Sequence, residues 1–192
     1  MPHAHPLTSF ERLASRLAAQ VPVDVDEPGL YWAAVAVILA PGPDSILLIR
    51  RAHQEGDPWS GHMALPGGRR EAGDPDLVAT AMRETREEVA VPLERAALVG
   101  ALADVIPRTP VLPPIAVRPY LFHLESRPPL SLSAEVAAAE WIPLDVLRAS
   151  RQERATVEVA GMSRSTPAFV TLHGVVWGMT ERILADLLSR LD

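Results

Sequence analysis

Residues 65–91 read LPGGRREAGDPDLVATAMRETREEVAV, and the rest of the chain is understood from them outward. A Pro-Gly-Gly turn precedes a segment in which Leu77, Val78, Ala81, Met82, Thr85 and Val89 recur at helical spacing and form a mostly apolar face. Asp74 followed by Pro75 reads as a helix start, with Asp as N-cap and proline in the first helical position. A helix is therefore predicted over residues 75–90, with its acidic side turned away from the apolar one. Glu84 and Glu88 stand four apart and project from one face, one turn from each other, with Glu87 beside them. Carboxylates crowded in this way repel unless a cation sits among them. Hard divalent cations with oxygen ligands, Mg²⁺ or Mn²⁺, meet that need, and Mg²⁺ keeps positions open for substrate phosphates.

Glutamate-rich helices are common, and this one alone is as well explained by a solvated face in which Arg83 and Glu87 form an ordinary i,i+4 pair. The turn in front of it favours the metal-and-phosphate reading. Gly67 and Gly68 permit backbone geometries closed to other residues and let a phosphate approach the main chain.

Gly68 followed by Arg83-Glu84-Thr85-Arg86-Glu87-Glu88-Val89-Ala90-Val91 resembles the signature of the Nudix hydrolases, G-x5-E-x7-R-E-U-x-E-E-x-G-U with U a bulky aliphatic residue. Fourteen residues separate Gly68 from Arg83, one more than the general pattern has. Asp74 stands near the place of the first Glu, Thr85 replaces a larger apolar residue, and Ala90 replaces the usual Gly. With that Gly absent, helix termination is expected to lean on Pro92. None of the departures touches Glu84, Glu87 or Glu88.

A finer resemblance is to the coenzyme A diphosphatase branch of the family. It rests on Leu47-Leu48-Ile49-Arg50-Arg51-Ala52, on the Gly61–Gly68 stretch GHMALPGG, on the stretched box spacing with Asp74, on Glu135-Val136 with Trp141-Ile142-Pro143-Leu144, and on Val176-Trp177-Gly178-Met179-Thr180. Two features depart from the branch. Its Leu-Arg pair is replaced by a longer Gly56-Asp57-Pro58-Trp59-Ser60 segment, and His62 stands where it has a Glu. The resemblance implies an α/β protein with the Nudix fold, a mixed β-sheet sandwiched between α-helices.

Bulk properties agree with one domain over residues 1–192, residues 1–24 forming an N-terminal helix and tail and residues 67–91 the box. Hydrophobic residues make up 48% of the chain, enough for a sizeable core, and no apolar run reaches membrane-spanning length. No cysteine is present, which excludes disulfides, zinc-thiolate sites and thiol nucleophiles. The start MPHAHPLTSF lacks the features of a signal peptide, so a cytoplasmic protein is expected. A net charge of −6 argues against nucleic-acid partners, which need a basic face. Helices are predicted at residues 8–20, 144–149 and 176–191, the first with Phe10, Leu13 and Leu17 on one side. Strands are predicted at residues 32–39, 46–50, 98–102, 115–124, 156–159 and 169–172. The 19 prolines fall almost entirely between these elements.

The expected chemistry is hydrolysis of a diphosphate. Glu84, Glu87 and Glu88 would hold Mg²⁺ or Mn²⁺, a bound water would attack phosphorus, and Glu87, Glu88 or an acid outside the box, Glu135 or Glu140, would take its proton. Arg83 is expected to orient Glu87. Gly67 and Gly68 would approach the phosphates through their backbone. Arg50, Arg51, Arg69, Arg70 and Arg108 are candidate phosphate ligands because a guanidinium matches phosphate bidentately, Arg69 the strongest for standing next to the turn, although for any one of them an ordinary surface charge is the better reading. His62 lies near the turn and is a candidate substrate contact; His53, His123 and His173 show no metal-ligand spacing. Trp59 either stacks on substrate or pins its loop. The branch resemblance implies coenzyme A or its derivatives as substrate, split to adenosine 3',5'-bisphosphate and 4'-phosphopantetheine. Two other readings are kept: hydrolysis of ADP-ribose, dinucleotides or other nucleoside diphosphate derivatives, and a non-catalytic ligand-binding module of the same fold.

Overall fold

A computed structural model describes residues 9–18, 29–42, 44–57, 59–107, 114–159 and 161–192. The predicted ends of the first helix at residues 8 and 19–20, the N-terminal tail, Pro43 and Arg108 lie outside these residues.

Hydrophobic content in the centre of the chain is organised around β1 (Tyr31–Ala40) and β2 (Ser45–Arg51), both buried on two faces. Alternation sends Val37 and Leu39 of β1, with Ile46 and Leu48 of β2, into one core; Ala36, Ile38, Leu47 and Ile49 enter the other. β1 pairs in parallel with β6 (Ile115–His123), from Tyr31 opposite Ile115 to Leu39 opposite His123, and antiparallel β5 (Leu98–Ala101) lies beyond β6. On the other side β2 pairs antiparallel with β7 (Val136–Pro143). The sheet is therefore mixed.

β1 and β2 pair only near their connection, Leu39 opposite Ile46 and Ala40 opposite Ser45. Past that point two short strands occupy the space between them. β3 (Met63–Ala64) pairs with β2 and β4 (Gly67–Arg69) pairs with β1, while the Ala36 amide donates to the Pro66 carbonyl at 2.8 Å. The Pro-Gly-Gly segment is thus built into the sheet.

The box helix, α2 (Leu77–Val89), covers one face through Leu77, Val78, Ala81 and Val89. The other face is covered by α1 (Ser9–Ala18), through Leu13 and Leu17, and by α4 (Gly178–Leu191), through Ile183, Leu184, Leu187 and Leu188. α3 (Leu144–Ser150) adds Leu144 and Leu147 to the same core. A second, antiparallel sheet of β8 (Arg151–Val159), β9 (Met162–Thr171) and β10 (Gly174–Trp177) is longer than the two predicted strands, and Val176-Trp177 belong to its last strand instead of starting a helix. The helix–sheet–helix layering of the Nudix fold is present. No described helix is long and apolar enough to cross a membrane.

Candidate active site

The start of α2 differs from its prediction. Asp76, extended at φ −154°, is the N-cap, its side chain accepting from the Ala79 amide at 2.8 Å. Arg95 holds the same carboxylate. Asp74 instead accepts from Arg83 through both oxygens (Nε to Oδ1 and Nη2 to Oδ2, each 3.0 Å), from the Thr80 hydroxyl and from the Glu71 amide. The hydrogen bonds from Arg83 are the main reason that this carboxyl is held down at about 2, against its own burial.

Arg83 does more than orient Glu87. Besides its two bonds to Asp74, Nη2 donates to the Arg69 carbonyl at 3.1 Å, and Nη1 donates to Glu84 Oε1 and Glu87 Oε2, each at 3.0 Å. These five bonds occupy the five N–H groups of a guanidinium. Arg83 is thereby committed to protein partners and ties the loop, the turn and two box glutamates together. Its surroundings raise its pKa still further above the ordinary arginine value, chiefly through Asp74.

Glu88 does not lie on a solvated face: only 5% of it is exposed. Its Oε2 accepts from the Gly67 amide at 2.9 Å, which locks the box helix to the turn. Burial pushes this carboxyl up to about 7, opposed by the Gly67 amide and by Arg51 and reinforced by the charges of Glu84 and Glu135. Burial also raises the Glu84 pKa; Arg83 opposes the shift, and Glu87 and Glu135 add to it.

The two glycines have different tasks. Gly67 has φ +149°, and a Cβ there would overlap the Ala34 carbonyl oxygen and lie 2.6 Å from Val35 Cα. Gly68 makes room for Glu84, whose carboxyl carbon would be 2.6 Å from an added Cβ. At the far end of α2, Ala90 takes the left-handed conformation (φ 59°), and its amide donates to the Arg86 carbonyl at 3.0 Å. The helix ends by the geometry usual for glycine, without one, before Pro92 can act.

Glu135 is brought to the box by main-chain bonds. The Ser131 amide donates to the Val89 carbonyl and the Ser133 amide to the Glu88 carbonyl, while the Glu135 carbonyl accepts from the Ala52 amide. Glu140 sits instead in β7, where its carboxylate meets His173 Nδ1. Of the arginines, Arg51 acts electrostatically on Glu88 and donates to Asp57 at 2.9 Å. Arg50 shares the strand parity of Ile46 and Leu48 and so projects toward the face opposite α2. Arg69 lies over the Tyr31 ring at 5.9 Å, and Arg70 donates to the Pro75 carbonyl at 3.1 Å. His62 is wedged between the second sheet's Glu158 carbonyl (3.3 Å) and the Trp177 ring (centroids 5.2 Å apart). Asp57 carried no weight in the sequence reading; its signal was an acid in the loop directly downstream of Arg51.

Among the described residues, no three or more His, Asp or Glu side chains stand in an arrangement that could hold a metal ion as they are. The donor chemistry nevertheless fits one. Glu84, Glu88 and Glu135 form a mutually repelling carboxylate set, one member is buried without a neutralising arginine bond, and all are hard oxygen donors suited to Mg²⁺ or Mn²⁺.

Comparison with known proteins adds independent support. A family model described as the NUDIX domain matches residues 30–160. An uncharacterized protein of Schizosaccharomyces pombe is 38% identical over 65% of this chain, which spans 40% of that protein's length. An uncharacterized Nudix hydrolase NudL of Enterobacter is 32% identical over 76% of this chain and 73% of its own. Among solved structures, a MutT/nudix family protein from Enterococcus faecalis superposes with a TM-score of 0.58 at 17% identity, covering 94% of this chain and 68% of that one, a likeness of fold. The sheet-locked Pro-Gly-Gly turn, the glutamates of α2 and these matches agree: the chain belongs to the Nudix family of hydrolases, enzymes that act on phosphorus-containing anhydrides.

Proposed function

We propose that the chain is a Mg²⁺- or Mn²⁺-dependent diphosphatase of nucleoside diphosphate derivatives, with coenzyme A or its thioesters as the leading substrate. The supporting observation is the buried Glu88 carboxylate, fixed by the Gly67 amide and crowded by Glu84 and Glu135. A structural carboxylate placed there would be a liability; a ligand to a cation would not. Glu84, Glu87 and Glu88 would hold the metal, Glu87 by leaving its exposed contact with Arg83. When bound, the metal would lower the pKa of a water and neutralise phosphate charge. The protein's own part is to position. Arg83 keeps the turn and helix in register, the Gly67 amide holds Glu88 Oε2, and Glu135, exposed at the rim, is the acid outside the box placed to accept the proton of the attacking water.

The coenzyme A assignment rests on the resemblance of residues 47–52, 61–68, 135–136, 141–144 and 176–180 to that branch. The longer Gly56–Ser60 segment, in place of the branch's Leu-Arg pair, supports ADP-ribose or a dinucleotide as the second reading. A Mg²⁺-dependent hydrolysis panel with mass detection separates them, using coenzyme A, acetyl-coenzyme A, dephospho-coenzyme A, ADP-ribose, NADH and diadenosine polyphosphates. Cleavage of coenzyme A to adenosine 3',5'-bisphosphate and 4'-phosphopantetheine, with Glu88→Gln lowered by orders of magnitude, is the expected result. Preference for ADP-ribose would overturn the coenzyme A assignment. Binding without turnover on every compound would turn the assignment to a ligand-binding module.

A further inference from the structure

The loop between β2 and β3 is a built object. Its turn is closed by the Asp57 amide donating to the Gln54 carbonyl, by the Ser60 hydroxyl donating to the Gln54 carbonyl and by the Gln54 amide donating to Ser60 Oγ. At its base the Gly61 amide donates to the Arg51 carbonyl and the Arg51 amide to the His62 carbonyl. Inside it Asp57 accepts from the Trp59 amide through Oδ1 at 3.0 Å and from Arg51 Nη2 through Oδ2 at 2.9 Å. Burial works against the Asp57 charge, but the Trp59 amide and Arg51 hold its pKa below the usual carboxylate value.

The pair is asymmetric. The Asp57 side chain is 15% exposed, whereas the Arg51 side chain is 40% exposed. Asp57 grips the guanidinium at one corner, and Arg51 Nε is buried with no protein partner. Arg51 lies opposite Val136 in the sheet register, next to Glu135, and its charge acts on Glu88. An arginine serving only as a loop staple would spend its remaining donors on the loop. This one leaves a buried Nε without a protein partner, and its charge is felt at Glu88, on the side where substrate phosphate would come.

We propose that Asp57 is a positioning residue that aims Arg51 at the phosphate groups of the substrate on the Glu88 side of the site, the pair acting as a preformed diphosphate clamp. The inference rests on the diphosphatase reading and adds a specificity determinant located in the segment that departs from the coenzyme A branch. The clamp contributes to substrate binding, since a guanidinium phosphate contact is made in the ground state as well as in the transition state.

The test is steady-state kinetics on the best substrate of the hydrolysis panel, for Asp57→Asn, Arg51→Lys, the two combined, and the charge-reversed Arg51→Asp/Asp57→Arg. Asp57→Asn keeps an oxygen for the Trp59 amide. It is expected to raise KM about tenfold, the usual scale of one charge-assisted contact, with kcat within about twofold. Arg51→Lys is expected to do the same, and the combination to be no worse than Arg51→Lys alone, because Asp57 acts through Arg51. Charge reversal restores a staple but not a cation at the phosphates, so KM should stay high. A KM for Asp57→Asn within about twofold of the parent, or recovery of KM on charge reversal, would overturn the clamp while leaving the diphosphatase reading standing. A parent protein inactive across the panel would overturn both.

Discussion

At the scale of single residues, Glu88 carries the clearest consequence. Between its ordinary value of 4.5 and its raised value of about 7, the folded metal-free protein keeps a proton that the unfolded chain has lost. The unfolded state then binds fewer protons, so this residue makes stability fall as pH rises through that window, by roughly 3 kcal/mol in all. Glu84 is shifted in the same direction. Asp74, held at about 2, works the other way: its contribution is present above its ordinary value of 3.8 and is lost only as pH falls through about 2. Urea unfolding in chelator at pH 5 and pH 8 is therefore expected to show a loss of stability at the higher pH that shrinks in Glu88→Gln. Gln is neutral at both and still offers an oxygen to the Gly67 amide. An unchanged slope in the variant would remove Glu88 from the account.

At the scale of elements, the turn and the ends of α2 make contrasting predictions. Gly67→Ala places a Cβ against β1 backbone at a φ that side chains avoid, so it should destabilise by about 3 kcal/mol or more and give poorly folded protein. Gly68→Ala meets only the end of the Glu84 side chain, which can swing away. It should melt close to the parent while losing most Mg²⁺-dependent activity; equal thermal losses in the two variants would contradict the division of labour. Ala90→Gly relieves the left-handed alanine and should stabilise by about 1 kcal/mol in chemical unfolding. The box helix was legible because period and box residues coincide. Its N-cap was not, since Asp74, Pro75 and Asp76 all carry start signals and only the Arg83 network decides which aspartate caps. Glu88 was legible as an acid of the box, but its burial was not, since nothing local in that charged string reports that Gly67, 21 positions away, closes over it.

At the scale of the molecule, the alternating elements showed the α/β class and the β1, β2 and β6 core, whose apolar runs are long. β3 and β4 are two- and three-residue strands with no period of their own, placed only by the gap between β1 and β2. β7 escaped notice because VAAAEWIP begins with three alanines after its valine, poor strand formers that its pairing with β2 overrides. The proposed site lies where these elements meet. Gly67 comes from the gap, Glu88 from α2, Arg51 from the end of β2, and Glu135 from the approach to β7. A cation gathering those carboxylates would bind the folded chain and not the unfolded one, so it must stabilise the whole molecule by mass action. At a Mg²⁺ concentration about a hundred times its Kd the gain is about 2.7 kcal/mol, or a rise in Tm on the order of 5–10 °C for a chain of this size. Because Mg²⁺ must displace the proton that burial leaves on Glu88, the rise should be larger at pH 8 than at pH 6. Calorimetry at both pH values, with and without chelator, measures it. A Tm indifferent to Mg²⁺, or a shift of equal size in Glu88→Gln, would mean that the crowded carboxylates of α2 are not the metal site.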